Sequence, residues 1–307
     1  MNSAKLTAPR NLIFICFIVL SIIVFWKPLS ALLSFSWHDV EYSHIILISL
    51  ISIFLVFYER RKIFSEVSYG FGVGTSLLLL GGTLYRFAEE YAFPSIPVEN
   101  LTPRILGIVI LWVGGFAFCY GTRAFRAAAF SLLFLFLMVP VPGAMMDQPI
   151  LFVQRASAEV ADLLFNLTGV PVFRNGFMFS LPGLNIEVAK ECSGIHSTLS
   201  LCMVSLIAGH LCLRSAWRKI FLMLAIFPIV SVTNGLRIFV ISVLSAYVSR
   251  SFLSGNLHHN GGVIFFLLAL ALLTPVFQLF RKAEALSGLL NTAIGNGDDR
   301  GIGSVQA

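Results

Sequence analysis

Long apolar runs alternate along this chain with short polar breaks, and many of the runs have the length of a membrane crossing. A bilayer core of about 30 Å takes roughly 20 apolar residues of helix. The first run, Asn11 to Phe25, follows Lys5 and Arg10. It has the charged flank of a signal sequence but no convincing small-residue cleavage site, so it reads as a retained first span. Runs at about 43–58, 70–87, 104–121 and 126–141 read as spans two to five, the last ending in the breaker Pro140-Val141-Pro142-Gly143. A polar loop with Trp37, His38, Asp39 and Glu41 separates the first two spans. A second loop, Ala88 to Pro103, separates the third from the fourth.

The pattern changes after residue 148. From Pro149 to Leu167 apolar residues recur at helical spacing but are interrupted by Gln154, Arg155, Glu159 and Asp162. Four such groups are unfavourable in lipid, which predicts an amphipathic helix lying at the membrane surface. Short β-patterned pieces follow, separated by Asn175-Gly176 and Pro182-Gly183, and predict a small hairpin. Then come a sixth span, Ser193 to Leu213, a seventh, Ala216 to about Thr233, and an eighth, about Gly262 to Phe280. The stretch Ile238 to Tyr247 is short for a crossing and is bracketed by Arg237 and Arg250. It reads as a re-entrant or interfacial helix, or as an outer extension of the seventh span. The glycine-rich end, from Gly295, reads as disordered.

The expected fold is thus an all-α polytopic membrane protein of about eight transmembrane helices, with a small extracytoplasmic amphipathic helix and β-hairpin before the sixth span. The expected divisions are a cytoplasmic amino terminus (1–10), a five-span bundle (11–147), the outer helix and hairpin (148–191), a three-span segment (192–282) and a cytoplasmic tail (283–307).

Composition agrees. Only 12% of the 307 residues are charged, and mean hydropathy is +0.88. Soluble chains carry about 25% charged residues, and half that share leaves too few ions to cover a water-facing surface. The net charge of +6 would suit nucleic acid, but its placement excludes that partner. The basic residues sit in short loops, at Arg60-Arg61-Lys62, Arg214 to Lys219 and Arg281-Lys282. That is the positive-inside distribution of a multi-pass protein, and no basic patch interleaved with exposed aromatics accompanies it. Parity then puts the hairpin outside, and the lipid bilayer is the first partner.

Five cysteines make no disulfide or zinc-ribbon spacing. Cys16, Cys119, Cys202 and Cys212 fall inside expected spans, where cysteine behaves as a small hydrophobe. Cys192 instead stands at the head of the sixth span, beside Ser193 and Gly194. On the expected topology it shares the outer face with Arg237 and the pair His258-His259. A thiol becomes a nucleophile as thiolate, which a helix amino terminus or a cation favours. A histidine can carry its proton to a leaving amine, and an arginine supplies fixed donors to an oxyanion. The set suits acyl transfer and needs no cofactor or metal. His196, one turn beyond Cys192, is a further candidate base, and Lys190 is the nearest cation to Glu191.

At these residues the chain resembles the exosortase/archaeosortase family. The resemblance rests on Glu191-Cys192-Ser193-Gly194-Ile195, on Asn234-Gly235-Leu236-Arg237-Ile238, and on His258 followed by Gly262 and Phe266 at intervals of four. It covers roughly residues 10–282. It implies a multi-span, transpeptidase-like cysteine enzyme of the cell (inner) membrane, working at the extracytoplasmic face. Its partners would be membrane-anchored proteins with a C-terminal sorting signal: a short motif such as Pro-Glu-Pro, a transmembrane helix and a basic end. By the resemblance Cys192 is the nucleophile, Arg237 the oxyanion stabiliser and His258 the acid/base, with His259 and His196 as alternatives and Ser193, Gly194 and Asn234 in support. Two other readings compete: a transporter, suggested by the many spans and a helix break near Asn234, and a non-catalytic component of an exopolysaccharide or export system.

Overall fold

The computed structural model describes residues 3–38, 42, 44–91, 97–190, 193–249 and 256–298. Asp39, Glu41, Glu191, Cys192 and Arg250 lie outside the described residues. The chain divides into two compact units, Met1–Met146 and Asp147–Ala307.

The first unit contains α1 (Ser3–Val24), α2 (Trp26–His38), α3 (His44–Tyr58), α4 (Arg60–Ile63), α5 (Phe71–Glu90), α6 (Pro97–Ala127) and α7 (Ala129–Phe134), the last continued by a 3-10 turn at Leu135–Met138. Where a polar loop was expected after the first span, α2 runs to His38 and bends away from α1 by 79°. Leu29 and Leu32 give it a buried stripe, and Pro28 falls in its first turn, where a missing N–H does no harm. The fifth run is shorter than expected: the helix around residue 130 has six residues before it tightens into the 3-10 turn. α5 and α6 pack most closely, through glycines. A Cβ at Gly81 would meet the Gly107 carbonyl at 2.7 Å, and one at Gly74 would meet the Phe118 backbone at 2.5 Å. Small residues let backbones approach in this way where lipid gives helices no hydrophobic reason to associate. Two polar pairs join helices of this unit: Trp112 Nε1 donates to Ser21 Oγ at 2.7 Å and Tyr120 OH to Asn11 Oδ1 at 2.8 Å.

α8 (Gly143–Thr168) begins at the unit boundary and presents Ile150, Val153, Gln154, Ser157, Ala158, Ala161 and Phe165 to the interior of the second unit. Next come β1 (Phe173–Asn175), β2 (Met178–Leu181) and β3 (Leu184–Glu187). They form a three-stranded antiparallel sheet, one strand more than a hairpin, with Gly176 and Gly183 at positive φ in the two turns. α9 (Ile195–Cys212), α10 (Ala216–Tyr247) and α11 (Asn256–Asp298) complete the unit. α10 is one unbroken helix of 32 residues. Of the alternatives for 238–247, a continuous extension of the seventh helix is the one found. α11 continues to Asp298, well past the expected span end at Phe280.

Two cores lie along α10. Its first half packs Leu222, Ile226 and Val230 with Val153 of α8, Leu201 of α9 and Ala269 and Leu273 of α11. Its second half packs Ile238 with Ala158, Ala161 and Phe165 of α8 and Phe179, Leu181 and Val188 of the sheet segment. Arg174 of β1 reinforces the second core by reaching back to Glu159 (2.8 Å) and Asp162 (3.6 Å) of α8. Glu159 and Asp162 of α8 thus face the sheet's arginine.

Among the described residues four helical segments suffice, by length and composition, to cross a membrane: Asn100–Ala127, Ile195–Cys212, Ala216–Tyr247 and Gly262–Ser287. Two bent pairs, Pro9–Val24 with Trp26–Trp37 and Ala129–Met138 with Gly143–Thr168, raise the number to six if each is one span. This is an all-α polytopic membrane architecture. The count of about eight is not reached among the described residues, partly because α3 has only fifteen residues.

Candidate functional site

The second unit brings together the two motifs that lie forty residues apart in sequence. The link is Gly194. It caps α9 in the left-handed conformation (φ 86°), and a Cβ there would lie 3.0 Å from Asn234 Cγ and 3.2 Å from Asn234 Nδ2. Both the backbone angle and the space therefore call for glycine. Asn234 is buried, 4% exposed, midway along α10. Its neighbour Gly235 faces α8 so closely that a Cβ would meet Val160 Cβ at 2.6 Å and the Ser157 carbonyl at 2.8 Å. Asn-Gly reads locally as a break, and none occurs: the glycine admits α8, while the asparagine faces the turn that starts α9. The helix break near Asn234, on which the transporter reading drew, is absent.

The turn itself is closely tied. Ser193 is fully buried, and its N–H donates to the Lys190 carbonyl at 3.1 Å. Its Oγ accepts from the Ile195 N–H at 3.3 Å, and Thr198 donates through both N–H and Oγ1 to the Gly194 carbonyl. On the chain before Cys192, the Val188 N–H donates to the Phe177 carbonyl at 3.0 Å, and the Val188 carbonyl accepts from buried Gln154 of α8. Lys190 Nζ reaches Asp147 Oδ1 at 2.9 Å, so the cation considered for Glu191 is engaged with α8.

At the other end of the unit a clasp sets the helices level. The Glu284 carboxylate of α11 accepts from the N–H groups of Arg214 and Ser215 at 3.0 and 2.9 Å, and Arg218 lies 3.5 Å from it. From that level, at about 1.5 Å per residue, α9 reaches Gly194 after about 27 Å and α10 reaches Asn234 after about 29 Å. Arg237, half-buried and three residues beyond Asn234, lies after about 33 Å, and α11 reaches Gly262 after about 33 Å and His258-His259 after about 38 Å. Gly194, Asn234, Arg237 and the α11 backbone at His258-His259 collect at one end of this helical bundle, the two histidines about one turn beyond the arginine. The side chains of His258 and His259 lie outside the described residues. His196 is half-buried in the first turn of α9.

A profile of transmembrane exosortases matches residues 36–274, more than three quarters of the chain. The protein belongs to the exosortase family. No curated protein and no solved structure matches the chain. The matched region contains Cys192, Gly194, Asn234, Arg237 and both histidines, and stops within α11, before Glu284. Family membership makes this exosortase a multi-pass membrane enzyme of the sorting kind, whose substrates are membrane proteins.

Two contributors were missed in the sequence. Gln154 counted among the polar groups expected at a water surface, yet it is 6% exposed and holds the Val188 carbonyl. Its spacing from Ile150, Val153, Ser157 and Ala161 was the available signal, since it shares their face. Gly235 was read only as a member of the Asn-x-x-Arg motif, beside a helix break near Asn234.

Proposed function

We propose that this exosortase cleaves the C-terminal sorting signal of exported, membrane-anchored proteins by cysteine acyl transfer at the outer face of the inner membrane. Cys192 attacks the scissile carbonyl, and Arg237 donates hydrogen bonds to the oxyanion. The C–N bond then breaks, and the thiol proton passes through His258, or its neighbour His259, to the departing amine. The products of this step are a thioester on Cys192 and a released anchor helix. An amine or water then resolves the thioester. His196, four residues after Cys192 in sequence and in the first turn of α9, is a further alternative acid/base.

The observation that carries this reading is the fit of Gly194 onto Asn234. It ties the turn after Cys192 to the Asn-x-x-Arg helix, with Arg237 next along that helix. Depth along α10 supports the orientation. The helix is about 48 Å long, against a hydrocarbon core of about 30 Å. With Arg214, Arg218 and Lys219 at the cytoplasmic surface, the bilayer ends near Asn234, and the half of α10 that carries the sheet stands beyond it. A substrate helix docks laterally along α9–α11, and α11 is well exposed to lipid for this, since only 11% of its span is buried. The recognition motif then lies over the sheet's outward face, where Phe173 and Met178 are exposed.

The test is co-expression of the enzyme with a protein carrying such a tail, followed by mass analysis of its mature carboxyl terminus. Cys192→Ala should abolish the truncated product while leaving insertion and abundance intact; a normal product in that variant refutes the proposal. Arg237→Lys, which keeps the charge and loses the planar fork, should lower turnover by about 100-fold.

A further inference from the structure

The chain enters and leaves residues 191 and 192 from fixed points, and the entry point is held by a residue belonging to none of the three motifs. Val188 is four residues ahead of Cys192. Both its backbone groups are committed, the N–H to Phe177 of the sheet segment and the carbonyl to the Gln154 amide of α8. Gln154 is buried, 6% exposed, and Val188 beside it is 2% exposed. Two residues later Lys190 pairs with Asp147, and its carbonyl accepts from the Ser193 N–H. From there Gly194 meets Asn234. The strap from Val188 to Gly194 is therefore fastened to the sheet and α8 on one side and to α10 on the other.

The two fastenings to α8 differ. The lysine–aspartate pair is open to solvent, with side chains 66% and 55% exposed, and exposed pairs of this kind hold little. The Gln154 amide acts where water is excluded, so losing it leaves the Val188 carbonyl buried without that donor. We infer that Gln154 is a positioning residue for the nucleophile, acting through the chain that leads into it: it holds the backbone at Val188, four residues ahead of Cys192, against α8. The inference rests on the assignment of Cys192 as the nucleophile.

The experiment uses the full-length protein in lipid nanodiscs, with Cys16, Cys119, Cys202 and Cys212 replaced by alanine, and follows alkylation of Cys192 by iodoacetamide at neutral pH. Gln154→Met removes the donor and keeps the bulk. It should slow alkylation by about 10-fold, since a thiol moved away from the arginine and histidine loses thiolate, and it should lower the unfolding temperature no more than the loss of one buried hydrogen bond explains. Gln154→Asn keeps the amide but shortens its reach by one carbon; it should also slow alkylation, and serves if the methionine variant fails to accumulate. Asp147→Asn should alter the rate by less than about twofold. Parent-like alkylation in both Gln154 variants, or a loss confined to thermal stability, overturns the inference. If Cys192→Ala still processes substrate, the nucleophile assignment falls and the inference with it. If Cys192→Ala is inactive while the Gln154 variants alkylate normally, only the positioning role falls.

Discussion

The α5–α6 pair of the first unit and the α8–α9–α10 junction of the second both depend on glycine, with different results. Along α5–α6, Gly74 and Gly81 bring apolar backbones into contact with Phe118 and Gly107, and packing is all that results. At the junction, Gly194 and Gly235 flank a buried asparagine, one making room for the turn that heads α9 and the other for α8. Close approach in the first unit holds two helices together. In the second it places a polar side chain beside the turn that heads α9, two residues after the proposed nucleophile. Glycine in a membrane helix therefore says that something approaches, and only the neighbour reveals whether the contact serves stability or a site.

Four substitutions separate the two uses. The largest effect is expected from Gly194→Ala. The new methyl group meets Asn234 at 3.0 Å in a backbone conformation that L residues avoid; processing in the co-expression assay should fall by more than about 100-fold while the protein still inserts. A parent-like yield of truncated product would show that the junction is packing alone. Gly81→Leu is the counterpart in the first unit. Forcing a side chain between touching backbones should lower stability by about 3 kcal/mol, seen as a lower unfolding temperature, with Cys192 alkylation per folded molecule unaffected; a change in alkylation at unchanged stability would erase the distinction between the units. Glu284→Gln comes next. It removes a charged acceptor from two backbone N–H groups and from largely buried Arg218, for about 1.5–3 kcal/mol. Detergent-stability measurements should register the loss, and no change would mean that the clasp does not fix the helix level. Glu159→Gln should have the smallest effect, less than about 1 kcal/mol, because that carboxylate is well exposed and its arginine keeps Asp162. A larger shift in unfolding temperature would mark the sheet's attachment to α8 as a principal support.

The legible parts of the fold were those in which one segment carries its own signal. Apolar runs located α3, α5, α9 and the start of α10 within a few residues, because a lipid-facing helix must be apolar along its whole length. The failures came where a polar residue found a partner far along the chain. Of the polar loop expected between the first two spans, Trp37 and His38 are helical, in a helix whose Leu29 and Leu32 have a surface to cover. The stop expected near Thr233 did not occur because α8 fills the space above Gly235, which no window around Asn234-Gly235 could reveal. Gln154 was assigned to water for the same reason, its acceptor being 34 residues away.

For the site, the sequence by itself determined the residue types, their order and their family: a cysteine before a glycine at the head of a span, an Asn-x-x-Arg on the next, and histidines opening the last. These are local features, fixed by motif spacing and by the scarcity of ionisable groups in an apolar chain. Tertiary structure alone decided that Gly194 rests on Asn234, that α10 runs unbroken past it into the sheet-bearing layer, and that Gln154 and Glu284 hold the two ends of the arrangement. Such contacts depend on the distances at which separate helices pack and on which buried polar group faces which, and neither quantity is written in any one segment of the chain.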